Sequence, residues 1–405
     1  MANANKIYGS KVVFVKAETT AGTWVHPDTT DAIKNIGDGT SFGKLQREKN
    51  KINEARPDRG SNAEADGRLM PIAWSLKDRY RPSGTAGTGC AEFLVLMAAA
   101  GFTVTDGESD IKYAINTSPP VDKTLSIYTI DRDAKTAEQI IGACVSQLVI
   151  SANKTAAEGP TFAWSGECMR KIEIYETKLD TGIDDSATAM VLPSLAAAIR
   201  NGDTGDIAGE EIYMKFATGE IVKITAVTRA TGSVTIVRAQ KTTSKAAHLA
   251  DEVISPWDPT PDYTGIGAAI DPHKWSFSWG GAALPVQSCE ITYTTGIMLA
   301  DLESPYHYAT SLKAGEALVA ASFAHYMTPD NIVKTLLADI NTESAAILQL
   351  GTVAGSQAKI YLDHSKIIDV PDLSALAYNE AAVGTYGLRC NHAATVLDAI
   401  EIVED

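Results

Sequence analysis

Val145–Gly166 reads VSQLVISANKTAAEGPTFAWSG. Leu148 and Ile150 recur at a spacing of two, and so do Phe162 and Trp164, the period at which a β-strand returns its side chains to one face. The spacing predicts two strands joined by a polar loop. On the opposite face Gln147, Ser151, Thr161, Ala163 and Ser165 are mostly small and polar. Such a sheet has one side for a core and one for water, and nothing in the stretch is reactive.

The chain has 405 residues, and at roughly 150 residues per domain this length predicts two or three domains. With 45% hydrophobic residues it can bury a sizeable core. Its 35 Lys and Arg against 50 Asp and Glu leave a formal charge of -15, which argues against gripping a phosphate backbone through the average surface. It does not argue against standing beside DNA. Cys90, Cys144, Cys168, Cys289 and Cys390 are odd in number, far apart and form no CxxC. The N-terminal MANANKIYGSKVVF lacks a basic region followed by a long apolar run, so the thiols read as reduced, in a protein made in a cytosol. The longest apolar run, Phe93–Ala100, falls well short of the ~20 residues a membrane helix needs and reads as a core helix.

Punctuation divides the chain into residues 1–178, 179–258 and 259–405. The first boundary is KLDTGIDDSAT; the second is SPWDPTPDYTG, where Pro256, Pro259 and Pro261 deny backbone donors to a ladder. The first block opens with a strand, KVVFVKAE, and continues in a long polar stretch, Thr19–Gly67, of the kind that binds something or is ordered by a partner. A strand at MPIAWSLKDRY, a glycine-rich turn, a short helix from Cys90 to Ala100 stopped by Gly101, and strands at LSIYTIDRD and AEQIIGA follow. The third block repeats that order. Strands VQSCEITYTTG and ALVAASFAHYM precede a helix with Thr328 as N-cap, Pro329 at its first position and Ile332, Val333, Leu336, Leu337 and Ile340 on one face. Strands at AAILQLGTV, AKIYLDHSKI, GTYGLRC and VLDAIEIVE close the chain. Between the copies, EIYMKFATGEIVKITAVTRATGSVTIVRAQ alternates through three strands, with ATGE and ATGS as turns whose glycines suit positive φ. The fold expected is mainly β with one helix per repeat, an α+β chain: a duplicated sandwich or half-barrel domain plus a small inserted β module.

No stretch carries a reactive constellation. The acidic turns Asn201–Glu211 and Thr105–Asp110 lack the calcium-loop spacing and read as hairpin turns. SGTAGTGC before the helix lacks the Gly-Lys-Ser/Thr ending of a phosphate loop. His26, His248, His273, His307, His325, His364 and His392 include no i,i+4 pair and no HExxH. Asp131 and Asp133 sit at a strand end, where such neighbours cap a turn, and no Gly-x-Ser-x-Gly occurs. The basic run Lys44–Arg59 is interrupted by Glu48, Glu54 and Asp58, as in a solvated or interface arm. The expectation is a protein that is not an enzyme and has no catalytic, cofactor-binding or metal-binding residues.

Three places resemble the major tail tube proteins of long-tailed, siphovirus-like bacteriophages: ETTAGTWVHPDTTDAI after the first strand, GTAGTGCAEFLVLMAAAGF at the helix, and IIGACVSQLVISANKTAAEGPTFAWSGE. The third block is similar to the same family's second half, and the resemblance spans the first and third blocks. It implies a structural virion protein whose sheets join edge to edge around rings that stack into a tube, with the wet face lining a channel for DNA ejection. It implies self-association in trimeric rings with pseudo-sixfold symmetry or in hexameric rings, with 19–67 as a stacking loop and the inserted module outside. The partners it implies are tape measure, tail terminator and distal tail proteins; DNA passes without specific binding, no membrane is involved, and assembly takes place in the bacterial host cytoplasm. The alternative is another β-rich structural protein, such as a capsid decoration or a pilus-like subunit.

Overall fold

In a computed structural model of the chain, the residues described are 11–34, 40–45, 47–52, 63–107, 110–116, 121–193, 198–201, 207–300, 311–326, 343–353, 355–369, 383–390 and 400–404. The fold is mainly β, and the helix Ala91–Ala99 is where the sequence placed it, with Cys90 as N-cap and Gly101 in the left-handed region at φ +89°. The helix expected after Thr328 lies outside the described residues.

The opening stretch forms Gln147–Asn153 and the long strand Thr161–Tyr175, paired antiparallel with Leu148 opposite Trp164 and Ile150 opposite Phe162. Thr161–Tyr175 pairs along its first half with Ile72–Arg79 and along its second half with Thr136–Ala143, so the sheet forks there. The second branch continues through Leu125–Asp131 to Lys11–Ala17. On its other edge Gln147–Asn153 pairs not within its own block but with Val286–Thr294, from Gln147 opposite Thr294 to Asn153 opposite Ser288. Beyond it come Leu318–Tyr326 and Val383–Cys390. Ile72–Arg79, Thr161–Tyr175, Gln147–Asn153, Val286–Thr294, Leu318–Tyr326 and Val383–Cys390 are thus six antiparallel neighbours, three from each outer block.

Their inward rows interlock. Leu76, Trp164, Leu148, Tyr293, Val319 and Cys390 stand in register across all six strands, each buried. They belong to one hydrophobic core that takes Phe93, Leu96 and Met97 from the helix and Phe277, Leu348 and Ile360 from the third block. The first and third blocks therefore share a core. A second tie is the terminal strand Glu401–Glu404, which pairs with Ala358–Asp369 on one side and Ile111–Ile115 of the first block on the other. The outer blocks differ in connectivity. In the third, the strands flanking the first long loop, Val286–Thr294 and Leu318–Tyr326, are ladder neighbours; in the first, Lys11–Ala17 pairs with Leu125–Asp131 and Ala32–Ile33, away from Ile72–Arg79.

The middle block is a separate six-stranded sheet, in the order Thr177–Lys178, Val253–Pro256, Ile207–Phe216, Ile221–Thr228, Ser233–Val237, Ala189–Val191. Its two expected turn glycines have positive φ, +104° at Gly219 and +68° at Gly232. Its apolar face is not self-contained. Met214, Phe216, Val222 and Ile254 join Phe14, Tyr128, Ile141 and Ile174 of the first block in a second core.

Thr19–Gly67 is not a structureless loop. It holds a short 3₁₀ turn at Thr29–Asp31, and the strand Arg47–Ile52 pairs with Ala63–Leu69 in a two-stranded sheet of its own. The charged sequence REKNKI reads as a solvated arm because its polarity says nothing about the backbone ladder. The hairpins Phe102–Asp106 with Ile111–Ile115 and Trp275–Trp279 with Ala282–Leu284 were likewise not singled out by periodicity, each strand having five residues or fewer.

Candidate functional site

The feature that sets this molecule apart is the outward face of the six-stranded sheet. Because side chains alternate, each buried row is followed by a wet one. Ser75, Ser165, Gln147, Thr294 and Leu318 form one line; Lys77, Ala163, Val149, Thr292, Ala320 and Arg389 the next; Arg79, Ser151, Glu290, Ser322 and Gly387 the third, in which Thr161 is buried. Most of these side chains are small and end in a hydroxyl or a methyl. At about 4.8 Å between strands the face is about 24 Å wide.

Its charges are sparse and mixed. Lys77, Arg79 and Arg389 share the face with Glu290 and with Glu167, two residues after Ser165 on its strand. Lys77 Nζ lies 2.9 Å from Glu158 Oε2, which neutralises one cation locally. The acidic excess of the whole chain is therefore not concentrated on this face.

At one end the face deepens into an open groove of about 550 Å³, floored by Ser75, Ser165 and Gly166 and walled by Thr294 and Met298. Its depth has a backbone origin. The Trp74 indole donates to the Cys144 carbonyl at 3.1 Å, and Cys144 lies so close to Gly166 that a β-carbon there would stand 2.0 Å from the Cys144 oxygen. The hydroxyls of Ser41 and Ser75 are 3.0 Å apart, and Ser146 Oγ donates to the Ser165 carbonyl at 3.2 Å. Among the described residues the groove lining includes no histidine; its titratable members are Glu167 and Cys144, whose thiol donates to the Glu167 carbonyl at 3.3 Å, so the groove offers mainly shape and hydrogen bonding.

The remaining candidate residues are dispersed. Asp131 Oδ1 accepts the amides of Asp133 at 3.1 Å and Ala134 at 2.9 Å, capping its turn. At the other end of the Thr105–Asp110 turn the Gly107 amide donates to the Asp110 carbonyl, closing the Phe102–Ile115 hairpin. Residues 202–206 of the other acidic turn, residues 53–59 of the basic run, His307 and His392 lie outside the described residues. The helix that follows SGTAGTGC has its N-terminus occupied from within: Glu404 accepts the Cys90 amide at 3.3 Å and the hydroxyls of Tyr80 and Tyr113 at 2.9 Å each. Burial pushes the Glu404 carboxyl up despite these donors.

All five cysteines are buried and unpaired, and burial pushes the Cys144 and Cys390 thiols up to about 11 and Cys90 to about 12. Such thiols are poor nucleophiles. His248 sits between Glu220, at 2.9 Å, and Glu252, at 3.0 Å. His325 is buried with neither ring nitrogen hydrogen-bonded, and desolvation lowers its pKa. Among the described residues no group of three or more His, Cys, Asp or Glu is placed to hold a metal ion, and no helix is long and apolar enough to cross a membrane.

Sequence reasoning missed the Glu404 convergence, the pairing of Gln147–Asn153 with Val286–Thr294, and the buried pair of Asp78 with Glu92. The last had a signal: charged residues at inward positions of an alternating strand and of an apolar helix. No known family model matches the chain, and no curated protein aligns with it.

Proposed function

We propose that this chain is a structural subunit that assembles with copies of itself into rings and tubes of the bacteriophage tail-tube type, its small, hydroxyl-rich sheet face turned to the bore. The observation that carries the reading is that face: six antiparallel strands, three from each outer block, with one side in a core and the other covered by Ser, Thr, Ala and Gln.

The strand directions support it. With six alternating strands, a rotated copy set edge to edge brings its Ile72–Arg79 antiparallel to the neighbour's Val383–Cys390, continuing the pattern. Both margins are only partly covered. Ser41–Phe42 pairs with Trp74 and Ser75, and the Lys77 amide takes the Thr40 hydroxyl at 3.3 Å; at the far margin Ala358–Asp369 pairs with Gly387–Cys390, leaving Val383–Tyr386 without a second ladder among the described residues. Neighbouring copies would complete these edges.

Three chains would supply eighteen such strands. At about 4.8 Å spacing and a tilt of about 40° they close at a backbone diameter of roughly 36 Å, leaving a bore on the scale of a DNA duplex once side chains are subtracted. Passage would then be eased by hydroxyl and methyl groups with few charges, and not by a strongly negative lining. In this reading the two outer blocks are the two quasi-equivalent halves of a duplicated tube domain, the hairpin around Arg47–Leu69 is a stacking arm, and the module lies outside.

Negative-stain electron microscopy of the purified chain tests this. Hollow tubes or stacked rings with three chains each are the expected result. Particles that stay monomeric at high concentration and moderate salt would overturn it.

A further inference from the structure

Where the module meets the first block, four side chains enclose one ammonium group. Lys241 Nζ stands 4.7 Å from the ring centre of Trp257 and 4.9 Å from that of Tyr213, and 3.2 Å from Asp28 Oδ1. The His26 ring closes the cage, 4.5 Å from Tyr213 edge-on and 5.3 Å from Trp257. Trp257 is itself anchored, because its carbonyl accepts the Tyr128 hydroxyl at 2.7 Å. The walls come from both sides of the seam: His26 and Asp28 from the first block, Tyr213 from the module.

The way Lys241 arrives is unusual. Ala239, Lys241 and Thr242 have φ of +56°, +51° and +66°, three left-handed residues without a glycine, one of them β-branched. L-residues avoid that region, and a β-branched one most of all. The loop's start is pinned elsewhere, with the Ala239 amide on Glu220 Oε1 at 3.1 Å and the Gln240 amide on the Ile221 carbonyl at 2.8 Å. A strained backbone persists where the surroundings over-determine it, and a filled cage is one such surrounding.

We propose that His26, Asp28, Tyr213 and Trp257 form an ammonium-binding aromatic cage at the seam, which Lys241 fills from within its own chain and so latches the module to the first block. Aromatic faces backed by a carboxylate select organic ammonium over sodium, because a diffuse, weakly hydrated cation gains more from the ring quadrupole than it loses in hydration. His26 suits the role as a neutral wall: burial, aided by the Lys241 charge, lowers its pKa to about 4. Lys241 keeps 28% of its side chain exposed, so the cage opens to solvent on one side and an emptied cage is accessible.

The test is to vacate the cage and refill it. Lys241→Ala in the full chain should lower the melting temperature by about 1–3 °C. Tetramethylammonium chloride should restore it, whereas sodium chloride at matched ionic strength should not, and the wild-type chain should respond to neither. Saturation-transfer NMR should detect tetramethylammonium on the variant and not on the wild type. Should Lys241→Ala fail to fold, Lys241→Gly empties the cage while relieving the left-handed backbone, and the same two readouts apply. Equal responses to the two salts, or no more tetramethylammonium bound to the vacated variant than to the wild type, would overturn the proposal.

Discussion

The body built by the outer blocks and the inserted module each place a glutamate among buried groups, Glu92 and Glu220, and they shift its pKa in opposite directions. In the body, Glu92 packs against Asp78 inside the first block; burial, reinforced by that neighbouring carboxylate, pushes its pKa up to about 9. In the module, Glu220 takes two hydrogen bonds from Arg238, at 2.8 and 2.7 Å, and these, with those from His248 and two backbone amides, overcome desolvation and lower its pKa to about 2. The difference lies in the partner. A carboxyl whose main neighbour is another carboxyl keeps its proton, and one facing a guanidinium fork gives it up. The contrast belongs to these two sites, because the body also holds buried cations, Arg81 on Asp78 at 2.6 Å and Lys171 on Glu138 at 2.8 Å.

The largest effect is expected where the body depends on backbone contact. Gly166→Val puts a β-carbon about 2.0 Å from the Cys144 carbonyl oxygen, which no rotamer change can relieve, and breaks the groove floor and the junction with Gln147–Asn153 together. A loss on the order of 4 kcal/mol or more, or failure to fold, is expected, read by urea denaturation and soluble yield. A mild effect would mean that the six-stranded junction tolerates separation there.

The corresponding break in the module is electrostatic. Arg238→Met leaves the buried Glu220 carboxylate facing an apolar chain and should cost about 3–5 kcal/mol. Adding Glu220→Gln should return most of that loss, because it removes the buried charge while its side-chain oxygen still accepts the Ala239 or the Ala246 amide. Recovery of less than half in urea denaturation would mean that the network has a role beyond neutralising itself.

The pH dependence separates the two regions by sign. Glu92 carries a raised pKa in the folded chain, so its contribution is fully present below its ordinary 4.5 and is lost as pH rises through about 9. Glu220 carries a lowered one, so its contribution is present above 4.5 and is lost as pH falls through about 2. Glu92→Gln, which imitates the protonated acid, should flatten the alkaline limb of a melting-temperature profile and leave the acid limb in place. A variant whose alkaline limb stayed as steep as the wild type's would show that another group sets it.

How much of this could be read beforehand follows the physics of each element. Period two places Leu148, Ile150, Phe162 and Trp164 on one face, because side-chain alternation is local. Gly101, Gly219 and Gly232 mark a helix end and two turns, because positive φ is a single-residue requirement. Which strand lies beside Gln147–Asn153 is not local. Every strand of the outer blocks carries a similar alternating face, and the partner that wins, Val286–Thr294, is set by how both blocks fill one core. For the same reason the module reads in sequence as a small inserted unit, while its inward face is shared with Phe14 and Ile174. Glu404 was illegible as a cap because the residues it joins are 291 and 324 positions away.

The finest test of the body concerns that cap. Tyr80 donates to Glu404 Oε1, whereas Tyr113 and the Cys90 amide both donate to Oε2. Tyr113→Phe leaves Oε2 one donor; Tyr80→Phe leaves Oε1 none. A hydrogen bond removed without orphaning its partner costs about 0.5–1 kcal/mol, and one whose loss strands a buried oxygen costs about 1–3 kcal/mol. Tyr80→Phe should therefore be the more damaging of two chemically identical changes, by roughly 1 kcal/mol in urea denaturation. The order matters more than the size. Because Glu401–Glu404 is the strand that stitches Ala358–Asp369 to Ile111–Ile115, equal or reversed losses would mean that Glu404 acts through the strand's register and not through the two separate oxygens of its carboxyl group.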